Sequence, residues 1–223
     1  MIDTLEKELV GALRKGVPQA ELVWQKVPDT DIKGYLLERA GAIKPLPPHL
    51  LESVMSAPPF WSLLWPAGHK LCHMLSKVSL WDARCVDLGC GSGLCSVAAA
   101  RSGARVLAAD TDPLALKATE LNAAANSVEI EVSSWWAGEE CDTLLLADFL
   151  YDDSNLEVLS TLKGFAQEIV VVDSRLKNLS VPDFVHLGDR PGRAVPDLDP
   201  HREFGCLKAW YFGPREGQWK SVY

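Results

Sequence analysis

Gly89, Gly91 and Gly93 stand at alternate positions of one short run, Val86-Asp87-Leu88-Gly89-Cys90-Gly91-Ser92-Gly93-Leu94, the strongest chemical signal in the 223-residue sequence. Glycines at this density let a backbone turn sharply and approach a ligand with no Cβ in the way. The run follows a strand-like segment at residues 84–88 and opens a helical pattern at 93–101, the context in which a glycine motif reads as a binding loop. Asp87, two positions before the first glycine, can meet a cation or an amine rather than a pyrophosphate. A dinucleotide loop of the form G-x-G-x-x-G would need glycine at position 94 or 96, where the chain has Leu94 and Ser96, so a nicotinamide dinucleotide is the weaker reading. Asp110 ends the next strand-like segment, where a carboxylate can accept hydrogen bonds from ribose hydroxyls.

Other reactive residue types form weaker patterns. His69 and His73 fall one helical turn apart, but H-E-x-x-H would need a glutamate at position 70, which is Lys70, and no third ligand is implied nearby. No metal site is expected. Cys90 lies inside the glycine run without a histidine and asparagine arrangement to activate it, and reads as a small filler beside the ligand.

The elements that must position these groups follow from periodicity. Residues 3–15 carry apolar side chains at helical spacing, and Gly16 and Pro18 end that pattern. A strand is expected at 21–26, a short helix around 35–39, and a helix from Pro66 to Lys77. Beyond residue 80, strand-like runs at 84–88, 105–109, 128–132, 143–147 and 168–172 alternate with helical patterns at 93–101 and 113–125. After Val172 the helical pattern disappears, and segments 183–187 and 206–212 read as a closing antiparallel pair. The expected architecture is α/β: a Rossmann-like, doubly wound, seven-strand sheet, mostly parallel with a C-terminal antiparallel strand. Residues 1–57 would form an N-terminal helical extension packed on a core domain at 58–223.

Composition narrows the function classes. Lys and Arg total 22 against 30 Asp and Glu, a net charge of −8, which argues against a nucleic-acid partner because no cationic surplus is available to release counterions. No apolar run is long enough to span a bilayer, so no membrane partner is expected. Six cysteines without paired C-x-x-C units read as reduced thiols, which points to a cytoplasmic setting. Oligomeric state has no signature in the sequence.

The pattern Asp87-x-Gly89-x-Gly91-x-Gly93 with Asp110-Thr111-Asp112-Pro113 resembles the class I methyltransferases that use S-adenosylmethionine. Upstream, Pro58-Pro59-Phe60-Trp61-Ser62-Leu63-Leu64-Trp65-Pro66 and, downstream, Asp148-Phe149-Leu150-Tyr151 are similar to the D-x-x-Y protein-lysine methyltransferases, nearest the group acting on the electron transfer flavoprotein beta subunit. That group tends to have Asp-Pro-Gly-Arg after the fifth strand of its sheet, where this chain has Asp173-Ser174-Arg175.

The resemblance implies S-adenosylmethionine as cofactor, held by Trp65, Asp87, Gly89, Cys90, Gly91, Gly93, Asp110, Thr111, Trp135, Trp136 and Asp148. It implies Asp148 and Tyr151 as the catalytic pair, Asp148 orienting the amine and Tyr151 shaping the pocket or accepting a hydrogen bond. Their bland alternatives are a helix cap and its packing partner. Trp65 would close over the sulfonium end of the cofactor, with Trp61 divided between that role and core packing. One of Trp135 and Trp136 would stack on adenine while the other packs inward. The implied partner is a protein presenting a lysine. A small nicotinamide-like amine is the alternative substrate, and a non-catalytic module that keeps the fold is the alternative class.

Overall fold

The computed structural model describes residues 1–38, 58–150, 153–176, 178–197 and 205–223. Helix α1 (Ile2–Gly16) buries Leu9 and Leu13, the stripe that its apolar spacing marks. Strands β1 (Leu22–Lys26) and β2 (Lys33–Leu37) follow as an antiparallel hairpin, with Trp24 opposite Tyr35. The short helix expected around 35–39 is therefore a strand over its described part: ladder bonds to β1, burying Leu36 and Leu37, override the helix-favouring Leu and Glu content. A 3-10 turn, Phe60–Ser62, leads into α2 (Pro66–Leu75), whose first residue is the expected proline.

The core then alternates through β3 (Arg84–Leu88), α3 (Leu94–Arg101), β4 (Arg105–Ala109), α4 (Pro113–Ala125), β5 (Glu131–Ser133) and β6 (Cys141–Ala147). It continues with α5 (Asp153–Leu162), β7 (Ala166–Asp173), β8 (Val185–Pro191), β9 (Cys206–Phe212) and α6 (Glu216–Val222). Helix α6 lies where no helical pattern was expected. It spans two turns and contains Gly217, too short for an apolar period to register, and tertiary contacts hold it.

The sheet order is β5-β4-β3-β6-β7-β9-β8. β3 to β7 run parallel, and β9 is antiparallel to both its neighbours. Side chains alternate between the two faces, as the period of two requires. Along β6 and β7, Leu145, Val170 and Val172 join one apolar cluster with α2 and α3, while Leu144, Leu146, Ile169 and Val171 join a second with α5. A third cluster ties Leu9, Leu13, Leu22, Leu37 and Trp61 to Ala115, Ala118 and Leu121 of α4.

The expected strand at 128–132 is shifted, because Val128 belongs to the end of α4. Ser127 takes a left-handed φ of 56° and Val128 N donates to Ala123 O, closing a Schellman turn before β5 can start. At the other end of the molecule Glu168, 2% exposed, accepts from Thr143, Tyr211, Arg215 and Trp219, pinning β9 and α6 to β6 and β7.

Candidate functional site

Chain order reverses direction in the sheet at β3: the next two strands lie on one side, and β6 and β7 on the other. Crevices at the carboxyl ends of strands form at such points. A cleft of about 610 Å³ opens there, walled by Leu88 and Gly89 after β3, Asp110, Thr111 and Asp112 after β4, Trp135 and Trp136 after β5, and Asp148 and Phe149 after β6. Phe60, Trp61 and Trp65 face it from before α2, and Arg175 from after β7.

The glycine loop is held in shape by backbone and carboxylate together. Gly89, Gly91 and Gly93 have φ of 76°, 54° and 71°, a region in which only glycine is at ease. Gly89 N and Cys90 N donate to Ala109 O, and Gly91 N donates to Asp110 Oδ2 at 2.9 Å. Asp110 Oδ1 accepts from Asp112 N, while Asp112 caps α4 through Leu114 N.

Gly93 is pressed against α4: a Cβ there would stand 2.4 Å from Thr119 Oγ1 and 2.6 Å from its Cα. Above Gly91 nothing lies within 4 Å. Gly93→Ala should therefore lower stability by about 2–4 kcal/mol, from overpacking plus the left-handed penalty, and Gly91→Ala by only about 1–2 kcal/mol. Urea denaturation of the two variants checks the order.

Not every residue of the motif faces the cleft. Asp87 is 2% exposed and accepts from Ser96 Oγ of α3 at 2.5 Å, so it braces the loop from behind instead of lining the cavity. Cys90 turns under the loop, with Sγ 3.3 Å from Thr119 Oγ1. Tyr151 lies outside the described residues. Trp61 is buried in the third apolar cluster and also touches the cleft. Of the paired indoles, Trp136 packs inward, edge-on to Phe165, while Trp135 is 73% exposed at the rim. His69 Nε2 lies 2.9 Å from Pro28 O, a structural contact.

Burial lifts the Asp87 carboxyl to about pH 6, against the opposing Ser96 bond and with help from Asp110. A folded-state value above the ordinary carboxylate value means that the folded chain binds this proton more tightly than the unfolded one. The associated stability is complete below about pH 4 and is lost as pH rises through 6, on the order of 3 kcal/mol. Asp87→Asn removes that dependence, so its stability relative to wild type should improve by this amount between pH 4 and 7. Urea titrations at both pH values measure it.

Asp148 is held tightly in the wall. Its φ of 49° is unusual for a residue with a Cβ. Oδ1 accepts from Ser174 N at 2.8 Å and Ser174 Oγ at 2.6 Å, and Oδ2 from Ala67 N at 3.2 Å. Ala67 belongs to the first turn of α2, whose N-terminus favours negative charge. Burial raises the Asp148 carboxyl above the ordinary range and Asp173 adds to this, while the Ser174 and Ala67 bonds oppose it. Asp173 is itself fully engaged, accepting from Leu150 N, Arg175 N and Leu176 N, which ties the β6 and β7 ends together.

Ser174, Arg175, Phe149 and Phe60 were not expected as site residues. The only sequence signal for the first two was the departure from Asp-Pro-Gly-Arg after Asp173.

A family model described as ribosomal protein L11 methyltransferase (PrmA) matches residues 69–150, the span from α2 through the glycine loop to Asp148. The chain has the fold of the S-adenosylmethionine-dependent methyltransferases. The electron transfer flavoprotein beta subunit lysine methyltransferase of Danio rerio is 38% identical over 104 residues, covering 43% of this chain and 40% of that protein. Its Xenopus laevis counterpart is 27% identical over 178 residues and 70% of each chain. The chain thus spans less than half of the fish protein's length. The magnesium protoporphyrin IX methyltransferase of Synechocystis PCC 6803, solved with bound S-adenosylmethionine, shares the fold at a TM-score of 0.50 and 14% identity, covering 64% of this chain and 76% of that one.

S-adenosylmethionine is the cofactor of the class I family, and the cleft fits it. The open space above Gly91 leaves room for a ligand against bare backbone. Among the described residues, Asp110 keeps one acceptor site on each oxygen for ribose hydroxyls. Trp136 Nε1, a buried donor without a partner, belongs to the same wall.

Proposed function

We propose that the chain transfers a methyl group from S-adenosylmethionine to a lysine side chain of a protein substrate. The observation that carries the reading is Asp148, held by three donors at the end of β6, in one cleft with the glycine loop and Asp110. The names of the fish and frog relatives support a protein lysine as acceptor.

The cofactor supplies a methyl group on a sulfonium, which an amine displaces in line, so the protein's task is alignment. Gly89 and Gly91 with Asp110 would hold the donor, Trp135 its flat ring, and Trp65 the mouth. Asp148 would accept an N–H of the incoming amine and fix the direction of its lone pair. A lysine of pKa about 10.4 arrives charged, and a carboxylate whose affinity for protons is raised by burial suits the role of receiving its proton. The acidic lining of Asp110, Asp112 and Asp148 complements that cation. The reading includes a cytoplasmic, reducing setting, supported by six unpaired cysteines.

Incubation with methyl-labelled S-adenosylmethionine and a cell lysate tests it. The label is expected in protein, on lysine, and the electron transfer flavoprotein beta subunit is the first purified substrate to try. Label confined to the small-molecule fraction would overturn the lysine assignment.

A further inference from the structure

The two oxygens of Asp148 are not equivalent. Oδ1 carries two short bonds, both from Ser174, and these use both of its lone pairs. Among the described residues, Oδ2 carries a single longer bond, from Ala67 N. Acceptor capacity is therefore left on Oδ2 alone. The left-handed backbone at Asp148, with its own N–H tied to Val172 O, sets the carboxylate between the β7 end and the α2 N-terminus. Ser174 is the residue that contributes both a backbone and a side-chain donor. A residue without a hydroxyl would leave Oδ1 with one donor, the Ser174 amide, and the carboxylate held by two bonds instead of three.

From this geometry we infer that Ser174 is a positioning residue for methyl transfer: its hydroxyl keeps Asp148 charged and locked in one rotamer, so that Oδ2 is presented to the incoming amine. The inference rests on the function proposed above and adds to it the group that sets the state of the acceptor. The neighbouring titratable groups are Asp173, which opposes ionisation of Asp148, Arg175 in the cleft wall, and the Cys95 thiol of α3, which its contact with Cys72 and burial keep protonated. Asp173 accepts from three backbone amides and, as a carboxylate with no proton to donate, cannot replace the hydroxyl.

The test combines a titration with a pH profile. In cofactor-free protein the Asp148 carboxyl carbon is followed by NMR, its signal identified by loss in Asp148→Asn. Removing a charge-assisted donor in Ser174→Ala is expected to raise its midpoint by about one pH unit. With labelled S-adenosylmethionine and lysate protein, the acid limb of the transfer rate should move to higher pH by the same amount. On the acid side of the limb the rate then falls about tenfold. Ser174→Thr, which keeps the hydroxyl, should restore both readouts.

An unmoved titration in Ser174→Ala overturns the proposal. So does a moved titration with an unmoved acid limb, which would make the hydrogen bond structural only. If Ser174→Ala does not fold, Ser174→Cys, similar in size but a far weaker donor, supplies the same comparison. If wild type labels no protein at all, the lysine assignment falls while the carboxyl titration still decides the role of the hydroxyl.

Discussion

Asp148→Asn should fold, bind S-adenosylmethionine within about threefold of wild type, and transfer methyl groups at least about a hundredfold more slowly. The magnitude follows from what the carboxylate supplies: orientation of the attacking amine and a place for its proton, together worth about 10²–10⁴ in rate. The asparagine keeps the volume and one acceptor, which can stay on Ser174, where two of the three donors lie. Its NH₂ must then face Ala67 N, a donor against a donor, so the side chain loses both its charge and its grip on α2. Calorimetry measures cofactor affinity, and initial rates with labelled donor measure transfer. A variant that binds the cofactor and works at near wild-type speed would reduce Asp148 to a cap on α2.

The largest expected effect on stability lies at the opposite ends of the strands. Glu168→Ala should cost about 3–5 kcal/mol, because it leaves several buried donors without a partner at about 1–3 kcal/mol each. Oε1 accepts from Thr143 Oγ1 and Arg215 Nη2, and Oε2 from Tyr211 Oη, Arg215 Nε and Trp219 Nε1. Truncation strands the Thr143, Tyr211 and Trp219 donors in a core closed to water. The melting temperature should drop by roughly 10 °C. Activity per folded molecule should be unchanged, because the network shares no residue with the cleft. A loss below about 1 kcal/mol would show that β9 and α6 are held by apolar packing alone.

How much of this was legible beforehand depended on whether a residue's role is local. The strand-loop-helix setting of the glycine run, the 113–125 helix and four of the five parallel strands read correctly because φ preference and apolar period act over a few neighbours. The seven-strand sheet followed from them, and the resemblance to class I methyltransferases, with the cofactor it implies, came from the motif residues. β2 was misread because its identity comes from β1, and α6 was missed because its anchor is Glu168, forty-eight residues before its first residue. Asp87 shows a subtler limit: its spacing from the glycines marks it as part of the site, but not which way the carboxylate turns, and it turns to Ser96. Ser174 drew notice only as a departure from Asp-Pro-Gly-Arg, because its bonds to Asp148 exist only once the ends of β6 and β7 are side by side.

Asn122 carries a consequence for the order in which the molecule assembles. Its Nδ2 donates to Ser92 O inside the glycine loop, and its Oδ1 accepts from Tyr35 N of the hairpin. These partners lie 30 and 87 residues away along the chain. The loop that reads as the most local feature of the sequence is thus completed by an amide synthesised well after it and braced on a hairpin synthesised well before it. During translation the bond from Asn122 to the glycine run can form only after α4 has emerged behind it.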